Sequence, residues 1–160
     1  MSSDLEQAKE YNTLTWQLIE KDGRDSEEDL MMVSYAHTSL AHWLIAGTIT
    51  HKMRGYWLLS RVYCLIEDAK MALLYANLCN QLCAEHPDKC ADFDLAYAAE
   101  ALARANAMAG ANEPAEIAHA KAEMLGNMIN NTEDKQLFEN DLASGPWFGL
   151  KKARYKFCNG

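Results

Sequence analysis

MRGYWLLSRVYCLIEDAKMALLYANLCNQLCAEHP, residues 53–87, is the stretch on which the fold turns. Its apolar residues recur at steps of three and four, and no β-branched alternation interrupts them. Asp68 is a good N-cap for a helix carrying Met71, Leu74, Tyr75, Leu78 and Leu82, and Pro87 breaks that helix. The preceding helix should run from about Thr50 to Leu65. The stretch therefore predicts two helices joined by a tight turn.

The same pattern returns 43 residues later, in residues 96–130. Leu59 pairs with Leu102, Ser60 with Ala103, Ala72 with Ala115 and Cys79 with Ala122, so small residues recur where the two helices of a hairpin have to touch. In this second copy the alanine-rich helix from Asp92 to Ala109 is closed by Gly110, and Pro114 sits in the first turn of its partner, which should end near Asn130-Asn131.

At these residues the chain resembles the tetratricopeptide repeat. Tyr56, Leu59, Ser60 and Tyr63 match the aromatic, Leu, small and Tyr positions of that family's helix A, and Ala72 and Cys79 match its small positions on helix B. In the second copy Leu102, Ala103, Ala105, Gly110, Ala115 and Ala122 fit. Asn106 stands where the family has Tyr, His119 where a large aromatic is usual, and Glu67 where Gly is expected. The spacing also exceeds the family's 34 residues. The runs Arg61-Val62-Tyr63 and Asp92-Phe93-Asp94-Leu95-Ala96-Tyr97 are similar to those of short bacterial tetratricopeptide-like proteins.

Outward from the repeat, residues 4–21 predict a first helix with Leu14 and Leu18 on one face, stopped by Asp22-Gly23. Ser26, with Asp29 three positions on, predicts the cap of a second, whose stripe is Leu30, Val33, His37, Leu40 and Leu44 and whose end is Gly47. A short seventh helix covers about Thr132 to Ala143, after which Ser144-Gly145-Pro146 should release a tail. The expected architecture is all-α: about seven helices in antiparallel hairpins, stacked as a tetratricopeptide-like right-handed superhelix. Residues 1–145 would be one domain and 146–160 a basic, aromatic tail.

Charge narrows the partners. The chain carries a net −8, yet Lys151, Lys152, Arg154 and Lys156 place four cations in the last ten residues, so residues 1–150 carry −12. An acidic body repels a phosphate backbone, which disfavours nucleic acid, and opposes docking on an anionic membrane. Met1 to Glu6 show no basic or apolar leader pattern, and no run approaches the ~20 apolar residues of a bilayer span. The expected compartment is the cytoplasm, where the five cysteines (Cys64, Cys79, Cys83, Cys90 and Cys158) would stay reduced.

Candidate chemistry is sparse. Cys79, Cys83, His86 and Cys90 fall at helical spacings and could supply four zinc ligands, although the paired C-x-x-C spacing is missing and Cys79 holds a small packing position. A Cys79–Cys83 disulfide is disfavoured, because helix neighbours four apart hold their Cβ atoms ~5–6 Å from each other. His37 lies on an apolar stripe and fits a core histidine bonded through one nitrogen; His42 is more than a turn away. H-E-x-x-H, G-x-S-x-G and phosphate-binding loops are absent, and no cofactor is indicated.

The resemblance implies a concave surface lined by helix A residues. Transferred through the matching positions, these are Arg54, Trp57 and Arg61 from the first copy and Tyr97, Glu100, Arg104 and Met108 from the second. Arginine forks suit carboxylates, so the expected function is noncatalytic capture of a protein or peptide segment, acidic or carboxylate-bearing. Arg61 and Arg104 would then be exposed, and reversing their charge would leave folding nearly unchanged; the equal alternative is that Glu100 and Arg104, four apart, only neutralise each other, that Arg54 and Arg61 hold neighbouring helices and that Trp57 is core. Two alternatives are a small metal-dependent or acid/base enzyme in a helix bundle, and a homo-oligomer whose groove is filled by its own tail.

Overall fold

The computed structural model describes residues 1–150; Lys151, Lys152, Arg154, Lys156 and Cys158 lie outside the described residues. Those described form seven α-helices and no strand: α1 (Asp4–Ile19), α2 (Ser26–Ala46), α3 (Ile49–Leu65), α4 (Ala69–Glu85), α5 (Asp92–Met108), α6 (Asn112–Asn127) and α7 (Thr132–Ala143), with a 3₁₀ turn at Pro87–Lys89 before α5. Local chemistry sets the boundaries. Ser3, Asp25, Thr48, Asp68 and Asn131 cap α1, α2, α3, α4 and α7 by accepting a backbone N–H three residues on. The cap of α2 is thus Asp25, with Glu28 returning the bond to complete a capping box; Ser26 is already helical.

Helices α1/α2, α3/α4 and α5/α6 pack as adjacent hairpins, and α3 lies against α5 and α5 against α7. The 43-residue repeat is expressed in burial: Leu59, Ser60, Ala72 and Cys79, and Ala103, Ala115 and Ala122, are all at most 2% exposed. Both C-terminal turns of the repeat's first helices enter the left-handed region, at Glu67 (φ 61°) and Gly110 (φ 74°), which are also 43 apart. Only the second copy carries the residue that adopts this conformation without strain.

Two expected stripes are corrected. In α2 the buried line is Met32, Ala36, Ser39 and Leu40, while Leu30 and Leu44 face outward at 69% and 55% exposure. In α4 it is Ala72, Ala76, Cys79 and Cys83; Leu74 is exposed. Small side chains let helix axes approach, so the contact seams run along alanine, serine and cysteine, and larger residues fill in beside them. Ser39 Oγ donates to Ala8 O (2.8 Å) and Ser60 Oγ to Ala72 O (2.9 Å), satisfying hydroxyls inside these seams.

Ser144-Gly145-Pro146 does not release the chain. Trp147 Nε1 donates to Leu142 O at 3.0 Å, and the indole lies 4.1 Å from the Arg104 guanidinium and edge-on to His119. The aromatic residue that a free tail would expose is instead stacked on a buried cation. Among the described residues no helix is long and apolar enough to cross a membrane.

Candidate functional site

The odd-numbered helices share one face, and a cleft of about 660 Å³ opens along it. Helix α3 forms its floor with Met53, Arg54, Trp57 and Arg61, while Asn12 and Trp16 of α1 make one wall. Phe93, Asp94 and Tyr97 of α5 make the opposite wall, extended by Asp141 of α7. The indoles of Trp16 and Trp57 stack with centroids 5.9 Å apart, and Tyr97 meets Trp57 edge-on at 5.3 Å.

The cleft's charges are largely paired within the protein. Arg54 grips Asp94 bidentately (Nε to Oδ1 2.9 Å, Nη2 to Oδ2 3.0 Å) and lies 5.1 Å from the Phe93 ring. That hydrogen-bonded carboxylate raises the arginine above its already high range. Tyr97 donates its hydroxyl to Asp141 Oδ2 at 2.5 Å; burial first, and this bond second, hold the phenol protonated. Two donors are left over. Trp57 Nε1 and Arg61 Nε are enclosed and have no acceptor among the described residues.

Four of the seven groove residues transferred from the repeat, Arg54, Trp57, Arg61 and Tyr97, come together here. Glu100 and Arg104 do not line the cleft. They are 2% and 4% exposed, joined Nε to Oε1 at 2.6 Å, with Arg61 Nη1 3.9 Å from the same oxygen. Arg104 spends its other donors on Ser144 O, Pro146 O and Asp141 O, each at 3.1 Å. The expectation that Arg104 is an exposed, dispensable charge is therefore overturned: it ties α5 to the segment after α7. Met108 is half-buried against the core of the first repeat. Trp16, Asn12 and Asp141 were missed, because the 43-residue spacing reaches neither α1 nor α7.

Beyond these helix ends, Gly145, Pro146 and Phe148 close over Arg61, Cys64 and Leu65 and leave a gap of only about 20 Å³. The face is thus open over one part and covered by the chain's own residues over another.

Of the four zinc candidates, Cys83 and Cys90 are drawn together at a methionine. Among the described residues no three of His, Cys, Asp or Glu are grouped to hold a metal. Cys83 and Cys90 instead direct their thiols at Met53 Sδ, at 3.0 and 3.4 Å. Hydrogen bonds from Cys79 and Cys90 bring Cys83 down to about 7 against the opposing effect of burial, and burial pushes Cys90 up to about 12. His37 Nε2 is 2.9 Å from Tyr63 OH, and His42 Nδ1 is 2.7 Å from Asp4 Oδ1. No protein-family model matches the chain, and neither a curated protein nor a solved structure is found to match it.

Proposed function

We propose that the chain is a noncatalytic binding module that takes a protein or peptide segment into the cleft between α1, α3, α5 and α7. The observation that carries this is the pair of enclosed donors, Trp57 Nε1 and Arg61 Nε, in an aromatic-walled cleft with no acceptor of their own. A buried donor without an acceptor costs about 1–3 kcal/mol, so a small turn of the Trp57 or Arg61 side chain that brings its donor to a ligand oxygen relieves that cost on binding. The size suits this role, since ligand clefts commonly measure ~300–1,000 Å³. A carboxylate or a peptide carbonyl flanked by an apolar side chain fits best: the acceptor meets Arg61 and Trp57, and the side chain meets Trp16 and Tyr97. The resemblance of residues 53–130 to the tetratricopeptide repeat supports the same face, and the acidic body favours a cytoplasmic protein partner over nucleic acid or a membrane.

Selection of a displayed random-peptide library on the full chain tests this. The selected peptides are expected to share an acidic residue or free C-terminus next to an aromatic or aliphatic one. They should lose at least about tenfold in affinity, 1.4 kcal/mol, on Arg61→Gln and on Trp57→Phe. Peptides that bind both variants as tightly as the parent, with melting temperatures unchanged, would place the ligand elsewhere.

A second reading, self-occupation in a homo-oligomer, is favoured by Pro146 and Phe148 lying beside Arg61 and Arg104 on this face. Light scattering of the full chain against one ending at Ser144 distinguishes it, because only an oligomer held by the segment with Pro146 and Phe148 dissociates on that truncation.

A further inference from the structure

Behind the cleft floor, the floor residue Met53 meets two cysteine sulfurs that do not line the cleft. Met53 lies on α3, Cys83 in the last turn of α4, and Cys90 just after the 3₁₀ turn that links α4 to α5. The Met53 thioether is the common centre: it accepts from Cys83 at 3.0 Å and from Cys90 at 3.4 Å. Met53 and Cys83 are buried, at 2% and 6% exposure, and Cys90 is half-buried, which gives the cluster one open side.

We propose that Met53, Cys83 and Cys90 form a three-sulfur site for a soft monovalent cation, copper(I). Thiolate and thioether ligands select copper(I) over harder ions, whereas structural zinc takes four nitrogen, sulfur or oxygen ligands in a tetrahedron. Asp94, whose charge reaches both cysteines, is committed to Arg54 and to the Ala91 N–H, and Cys79, the further sulfur beside Cys83, is 2% exposed in the packing seam of α4, so neither is free to complete a zinc site.

The geometry needs little change. With a metal–sulfur bond of ~2.3 Å, a trigonal set has sulfur–sulfur edges of ~4.0 Å. The two contacts at Met53, 3.0 and 3.4 Å, must therefore open by about 1 and about 0.6 Å. Methionine's unbranched chain of rotatable bonds accommodates that. Binding replaces the two thiol protons by one cation, leaving one net negative charge; Lys121, whose charge acts on Cys83, offsets it, and Arg54 neutralises the neighbouring Asp94.

The full chain, reduced and kept anaerobic, is titrated with copper(I) buffered by the coloured chelator bathocuproine disulfonate. The expected result is one equivalent withdrawn per chain, lost in Cys83→Ser and in Cys90→Ala. Met53→Leu, which keeps both thiols, should weaken binding at least about tenfold, the scale on which even an outer-shell partner of a metal ligand matters. Far-UV circular dichroism identifies any variant that fails to fold, and the half-buried Cys90 tolerates substitution where Cys83 does not. Three results would each overturn the proposal: no copper withdrawn by the parent, copper retained by Cys90→Ala, or Met53→Leu binding like the parent. Zinc(II) bound in place of copper with the same residue dependence would overturn it too. Peptide selection through Arg61 and Trp57 succeeds or fails independently of these outcomes.

Discussion

Replacing Arg104 by methionine should be among the most damaging single changes outside the aliphatic core. The substitution keeps most of the apolar stem and removes the guanidinium. Glu100, 2% exposed, is then left with only Arg61 at 3.9 Å among the described residues. The carbonyls of Ser144 and Pro146 lose their donor, Asp141 O keeps only the bonds from Ser144, and Trp147 loses the cation on which it stacks. Breaking a buried ion pair from one side costs ~3–5 kcal/mol. The lost carbonyl bonds add less than their sum of ~1 kcal/mol each, because the released segment can return to water as a unit. A destabilisation of about 4 kcal/mol is expected, equal to roughly 10 °C in a domain of this size.

Urea unfolding followed by far-UV circular dichroism measures this without interference from the four tryptophans. The paired variant Glu100→Leu/Arg104→Met supplies the control, since replacing both partners removes the stranded charge and should recover ~2–3 kcal/mol. A loss below about 1 kcal/mol in Arg104→Met, or a paired variant no more stable than the single one, would refute the account of α5 as a helix anchored by a buried pair.

Glu67→Gly should raise the unfolding free energy measured in urea by on the order of 0.5 kcal/mol, because the left-handed φ costs a non-glycine ~1–2 kcal/mol and glycine's greater unfolded freedom returns part of that. Gly126→Ala should lower it by about 1–3 kcal/mol: an added Cβ would fall 2.4 and 2.6 Å from ring carbons of the fully buried Phe138, and a larger midpoint for this variant would contradict the α6/α7 packing. For pH, burial holds His37 below its ordinary value of 6.5, so as pH falls below that value the unfolded chain takes up the proton first. His37 thus contributes stability above about pH 6.5 that is lost on acidification, and His37→Gln should flatten the fall of unfolding free energy as pH drops below about 6.5. An unchanged slope would assign the effect to other groups.

Capping and breaking residues made the seven helices legible. Asp68, Pro87, Gly110, Pro114 and the run from Thr132 to Ala143 act through the backbone within four residues, so their effect is independent of what packs nearby. Stripes were less legible. In α2 and α4 the largest residues were chosen as the buried line, but the seams follow Ala36, Ser39, Ala72 and Ala76, since closeness of approach, and not side-chain size, decides which face meets a neighbour. Leu30, Leu44 and Leu74 show that hydrophobicity alone does not bury a residue.

The cleft was legible where the repeat carried information, and lost where another part of the chain returns. Arg54, Trp57, Arg61 and Tyr97 follow from one periodic register on α3 and α5. One turn beyond Tyr97 the same face of α5 is covered by residues some 40 positions away, and no local pattern encodes that return. A signal was nonetheless present in α5. Ala96, Ala98, Ala99, Ala101, Ala103, Ala105 and Ala107 place small residues on every side of the helix, and all are at most 5% exposed. A helix that is small and apolar all round is packed all round, here by α3, α4, α6 and α7. Charged residues inside such a run cannot stay solvated, so they must be neutralised within the protein, and their spacing of four supplies the partner. On that logic Glu100 and Arg104 are a structural pair from sequence alone. The α5 residues that line the cleft are those one turn earlier, where the helix passes from its alanine-rich run to Phe93 and Tyr97.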